Sequence, residues 1–384
     1  MKRLTVLLAI MLVIAISCPV SSFAQQKEVK VGVLYSLTGA FSPAGGKPGF
    51  NGTMIAVDMI NARGGVAGKV KLVPVVADTQ SNPDVAIREV ERLISVEKVP
   101  VITGVFASSI SQPVAPICEK NKRVFWITIS IADTILEDRH QKYVFRVQPR
   151  ATDWGRTTAR FARDNYKNFG YTSPKQMRVA ILHEDSSYGV ACNRGATEIL
   201  NQEKMNVVFR EAYSHTIKDM SSIILKLKKA QPDVILHTAY FPDLVLFMRQ
   251  AREMGLKWKL DIGHGAGHAN FAELEKSLGT GMVNYLCNVD PKPAQKFPAR
   301  TANPDMDSLR KEFLDRYQTK HGTRDPETHA TQGFAHAWVL FNNVMPVALQ
   351  KYGKIDAESR PLRNSSIFSS LDHQFVAEKV AMQS

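Results

Sequence analysis

The sequence predicts an α/β protein built as two lobes, each a parallel sheet with helices on both faces. Three observations point there. Short apolar strands alternate with amphipathic helices along most of the chain. The alternation runs through four strands, pauses near Gln148-Pro149-Arg150, and then restarts. The length, 384 residues, is too much for one compact core and suits two.

The elements follow in order. Val29 to Leu34 reads as a strand, and the Gly- and Pro-rich stretch Gly39 to Gly49 as a loop. From Asn51, the spacing of Met54, Ile55, Val57, Met59 and Ile60 predicts a helix that stops at Gly64-Gly65. Val70 to Ala77 is a second strand. Asn82-Pro83 starts a helix, with Pro at its first position. Strands at Val99 to Thr103 and Val124 to Thr128 flank a helix from Ser109 to Asn121. After the pause, a helix covers Trp154 to Tyr166. Strands at Arg178 to Leu182, Val207 to Glu211, Val234 to His237 and Lys259 to Ile262 then alternate with helices at Gly189 to Gln202, Asp219 to Lys229 and Pro242 to Met254. A Pro-rich loop, a helix from Asp305 to His321 and a long helix from Glu327 to Gln350 complete the pattern.

The N-terminus reads as an address. Lys2 and Arg3 precede an apolar run, Leu4 to Ile16, that is too short to span a bilayer, which takes about 20 residues. Ser22 and Ala24 offer small residues for a signal peptidase, so a secretory signal over residues 1–24 is expected. A weaker alternative is lipid attachment at Cys18, which Pro19 directly follows. Cleavage at Ala24 lowers the formal charge from +13 to +11. In an exported protein such a charge suits an anionic small molecule or membrane surface, or is merely a solvated basic face, and argues against nucleic acid. Cys118, Cys192 and Cys287 remain, an odd number in which at most one pair could form.

In open parallel sheets, ligands sit at the carboxyl ends of the strands. Phe106-Ala107-Ser108-Ser109 ends a strand and opens a helix, where free N–H groups and a serine suit a carboxylate or phosphate, though no phosphate-loop motif occurs. Simple capping is the plainer explanation. Tyr188, Tyr240 and Phe241 stand at corresponding positions after later strands, able to stack on a ligand or merely to pack. Gly263 to His268 has dinucleotide-loop spacing without the rest of that unit, so NAD is not expected. The glycines between His264 and His268 argue against a metal pair on one helical face. No nucleophile elbow or zinc-protease motif occurs, so neither an enzyme nor a bound cofactor is expected.

The stretch from Gly52 to Gly68 (GTMIAVDMINARGGVAG), with Val31 to Leu34, Asp78, Asn82-Pro83, Ser187-Tyr188-Gly189 and Arg249 to Lys257, resembles the periplasmic solute-binding proteins of branched-chain-amino-acid-type ABC transporters. The resemblance covers about Val29 to Lys354. It implies the type I periplasmic binding fold: two Rossmann-like lobes on a multi-strand hinge that close over a small molecule and deliver it to a membrane permease. It implies a first lobe of residues 25–148 with 284–350 returning to it. The second lobe is then 149–283 with 351–384. A monomer in the periplasm is expected.

On this resemblance the carboxylate-binding serine is Ser108, and a second contact region is Ser130-Ile131-Ala132. Ala132 stands where amino-acid binders carry Thr. Cleft tyrosines fall on Tyr188 and Tyr240. The acid that pairs with a ligand ammonium should lie near His264 and Gly265, and none occurs between Gly263 and Gly267. An unpaired buried ammonium is costly. The expectation is therefore an aromatic or other organic acid, with branched-chain amino acids, amides or urea as alternatives. A sensing role for the same fold is the other functional class, without the helix-turn-helix or membrane helix that such receptors carry. Past Arg363 the resemblance ends, and truncation or divergence of the second lobe's edge is expected.

Overall fold

The computed structural model describes residues 27–137, 141–291, 293–296 and 304–355. The expected signal, Cys18 and the segment beyond Arg363 lie outside them. Two five-stranded sheets, parallel throughout, form the two lobes. The first is ordered β2-β1-β3-β4-β5: β1 Lys27–Tyr35, β2 Val70–Asp78, β3 Val101–Gly104, β4 Val124–Ile127 and β5 Val144–Arg146. The second is ordered β10-β9-β8-β6-β7: β6 Arg178–Glu184, β7 Asn206–Tyr213, β8 Val234–Thr238, β9 Leu260–Gly263 and β10 Leu286–Asn288. Numbered within each lobe, both orders read 2-1-3-4-5. Each sheet therefore has its switch point between its first and third strands, and a ligand crevice opens there.

The helices sit largely where periodicity puts them. In the first lobe these are α1 (Lys47–Ala62), α2 (Pro83–Ser95) and α3 (Ser108–Lys120). The second carries α4 (Ala151–Asp164), α5 (Ser187–Gln202), α6 (Ser221–Ala230) and α7 (Phe241–Glu253). Asn82 caps α2 by accepting from the Asp84 and Val85 amides. The expected loop Gly39 to Gly49 is shorter than its Gly and Pro content suggests. Ser42–Gly46 forms a π turn that runs directly into α1. Three short helices were not expected: α8 (Gly265–His268), α9 (Phe271–Leu278) and α10 (Thr280–Val283).

β10 pairs with β9, so the second sheet extends through Asn288 and the return to the first lobe falls after it, not at 284. The returning helices are α11 (Pro304–His321), α12 (Thr328–Trp338) and α13 (Met345–Tyr352). The expected single helix from Glu327 is broken by a π segment at Val339–Val344, just ahead of Pro346. α12 packs flat on α1. A Cβ on Gly52 would lie 1.9 Å from the Ala330 carbonyl, and one on Gly333 2.2 Å from the Gly49 carbonyl, so only glycine permits this approach. Phe313, Phe334 and Phe341 join Ile55, Met59 and Trp126 in that core. Trp126 Nε1 donates to the His336 carbonyl at 2.9 Å.

Candidate ligand-binding cleft

The carboxyl ends of both sheets face one another across a cleft holding about 400 Å³ of empty space, part of it open to solvent. The first lobe contributes Phe106, Ser108, Ile129, Ser130, Ile131, His329 and Gln332. From the crossing and the second lobe come Gln148, Trp154, Tyr188, Tyr240, His264, Gly265, Ala266 and Asp290. Of the residues expected at the site, Phe106, Ser108, Ser130, Tyr188, Tyr240, His264 and Gly265 converge here. Ala107, Ser109, Ala132 and Phe241 do not line it. Ala107 is the buried N-cap of α3. Phe241 begins α7 and packs against the second lobe's core.

Ser108 does not cap its helix. Its Oγ accepts from the amides of Ile131 and Ala132, at 3.2 and 3.1 Å. With both lone pairs engaged, its hydroxyl proton is left to donate elsewhere. Ala132 thus braces Ser108 through its backbone amide. Arg146 fixes the same peptides from the other side, donating to the Ile131 and Ala132 carbonyls at 3.0 and 2.7 Å. Burial holds this guanidinium down at about 10, offset by Asp133. Ser130 and Ser111 share a short hydroxyl hydrogen bond.

The second lobe supplies aromatic walls. Tyr240 meets Phe41 at 4.6 Å, tilted, and Phe106 at 6.0 Å, T-shaped, between ring centroids, joining the lobes. The Tyr188 hydroxyl lies 3.0 Å from His264 Nδ1 and 3.2 Å from the His264 carbonyl. Trp154 stacks on the His264 ring. Burial, reinforced by nearby His268, holds His264 down at about 3, so it is neutral. Burial also lowers His329 to about 4, against the Ala44 carbonyl that its Nδ1 meets at 2.7 Å. In the neutral ring Nδ1 donates and Nε2 is an acceptor.

The acid absent between Gly263 and Gly267 in sequence has a counterpart in space. An acid does stand beside Gly265: Asp290, 25 residues on, accepts from the Gly265 amide through Oδ2 at 2.9 Å. A side chain starting from Gly265 would begin 3.6 Å from the Tyr188 hydroxyl and 3.9 Å from that carboxylate oxygen. Asp290 therefore occupies the ground an acid at position 265 would reach. Sequence spacing concealed it, because the parallel pairing of β10 with β9 sets Asn288 beside Gly263 and so brings Asp290 level with Gly265. His329 and Gln332 on α12 were missed for the same reason.

Closure is held outside the cleft as well. Arg194 on α5 pairs with Asp133 and Glu137 of the first lobe, each at 3.2 Å. Thr152 donates to Asp133 through its amide and hydroxyl, at 3.0 and 2.6 Å.

Residues 28–359 match the model of the periplasmic binding protein family. The chain belongs to that family. It is 30% identical over 357 residues to the Leu/Ile/Val-binding protein homolog 7 of Brucella suis biovar 1, covering 93% of this chain and 84% of the relative. Its fold matches a leucine-binding protein of Thermotoga maritima with a TM-score of 0.72 at 26% identity, over 88% of this chain and 87% of that one. A Rhodopseudomonas palustris BisB5 solute-binding protein, solved with 3,4-dihydroxybenzoic acid, shares the fold with a TM-score of 0.65 at 21% identity, over 86% and 83% of the two chains.

This is a substrate-binding protein of the ABC-transporter type, of the branched-chain amino acid group, with the type I periplasmic fold. Such proteins bind solutes for transport and are not an enzyme family, and they work outside the cytoplasm. No helix among the described residues is long and apolar enough to cross a membrane.

Proposed function

We propose that this binding protein captures a free amino acid with an apolar or aromatic side chain and hands it to a membrane permease. The observation that carries the reading is Asp290 across the cleft from Ser108. Ser108 offers a hydroxyl donor at the N-terminus of α3, where the helix end favours a carboxylate. Asp290 offers an anionic partner for an ammonium, so the buried charge is paired. A ligand touching both lobes favours the closed form over the open one. Phe106, Trp154, Tyr188 and Tyr240 leave a side chain an aromatic surround.

The competing reading is an aromatic acid without an ammonium, which the ring-lined walls also favour. A thermal-shift screen of amino acids against benzoate-type acids separates them. At about 100 times its Kd the true ligand adds ~2.7 kcal/mol of stability. We further infer export by a signal cleaved after Ala24, action as a monomer, and lobes divided near Gln148 to Arg150.

A further inference from the structure

A chain of buried polar side chains runs under the second lobe's half of the cleft. The Tyr240 amide donates to Asp243 Oδ2 at 3.1 Å, and the Tyr213 hydroxyl donates to the same oxygen at 2.7 Å. The Tyr213 oxygen lies 3.0 Å from His237 Nε2, and His237 Nδ1 lies 3.1 Å from Asp261 Oδ2. The other Asp261 oxygen meets His268 Nε2 at 2.8 Å. Asp261 and His268 are fully buried, and Tyr213, His237 and Asp243 nearly so. His268 ends the short helix α8 that begins at Gly265. Its ring lies against the Gly263 α-carbon, where a Cβ would be 2.1 Å away.

Both cleft-facing edges of this lobe therefore lead to one carboxylate. One is the Tyr240 loop, reached through Asp243, Tyr213 and His237. The other is the His264–Gly265 turn, reached through His268. Burial acting alone raises the Asp261 carboxyl, but His237 and His268 outweigh it and hold it at about 2. The ligand atoms of His237, Asp261 and His268 are close enough together for a metal ion. Hydrogen bonds already join them, and the cluster is sealed from solvent.

We propose that Asp261 is a positioning residue for ligand capture: through His237 and His268 it ties the Tyr240 loop and the His264–Gly265 turn into one preorganised wall. Ordering that wall in advance removes part of the cost of binding. The idea is independent of which solute is carried.

The test uses ligand-free protein, with hydrogen exchange at the Tyr240 and Gly265 amides. In Asp261→Asn the side-chain amide accepts from His268 and donates to His237, rebuilding both bonds. Both backbone amides then keep protection within about threefold of the parent. In Asp261→Leu both amides exchange at least about tenfold faster, the equivalent of one lost hydrogen bond or more. Tyr213→Phe, which leaves Asp261 and both histidines in place, frees the Tyr240 amide alone by about tenfold. The proposal is overturned if Asp261→Asn exchanges as fast as Asp261→Leu, or if Tyr213→Phe leaves Tyr240 unchanged.

Discussion

The two walls of the cleft are built by different means. The first-lobe side is a helix start and the peptides that follow β4. Ser108, Ile131 and Ala132 hold one another through a hydroxyl and two amides, and Arg146 braces the same peptides. The second-lobe side is lined by side chains gathered from Tyr188, Tyr240, His264 and Asp290. A buried ionic chain supports them. A wall made of local backbone is readable where strand meets helix. A wall made of distant side chains is readable only once the sheet order is known.

That contrast can be broken from either side. The largest expected effect is on the second wall: Asp290→Asn should weaken an amino-acid ligand by ~3 kcal/mol, roughly a hundredfold in Kd, by leaving its ammonium without a charge partner. Calorimetry reads this directly, and a benzoate-type acid should bind the variant no worse than the parent. On the first wall, Ser108→Ala should cost ~1–3 kcal/mol of affinity, since a ligand carboxylate loses its donor. Unchanged calorimetric affinity would remove Ser108 from the site.

A third prediction concerns pH. His264 and His329 stay neutral in the fold, with values near 3 and 4, whereas in the unfolded chain they charge near the usual 6.5. The unfolded state thus binds protons first, and stability is lost as pH falls from about 6.5 toward 4. Glu184 acts the other way between about 4.5 and 7, because burial, only partly offset by Ser186 and Gly189, pushes its carboxyl up to about 7. His329→Asn keeps a donor for the Ala44 carbonyl but cannot titrate. It should remove up to about 1.4 kcal/mol per pH unit from the slope of stability against pH, measured by denaturant unfolding. The smallest effect belongs to the latch outside both walls. Arg194 is half exposed, so Arg194→Ala should weaken closure by less than about 1 kcal/mol. Small-angle scattering of the ligand-free variant should show a modest rise in radius of gyration.

Much of the fold was legible because its elements obey strong local rules. The 3.6-residue spacing through Met54, Val57 and Ile60, and the cap at Asn82-Pro83, locate α1 and α2. The region after Gly263 was not. The short α8, α9 and α10 offer too few residues for a period to emerge, and β10 has only three. That opacity mattered, because Asp290 follows β10. Without the pairing of β10 to β9, nothing in the sequence brings Asp290 to Gly265.

A ligand with a carboxylate for Ser108 and an ammonium for Asp290 is tested most directly by isothermal titration calorimetry of the protein and its Asp290→Asn variant, against single amino acids and matched aromatic acids. The expected result is saturable binding of an amino acid by the parent and a roughly hundredfold loss in the variant. Binding of aromatic acids alone, with equal affinity in both proteins, would contradict it.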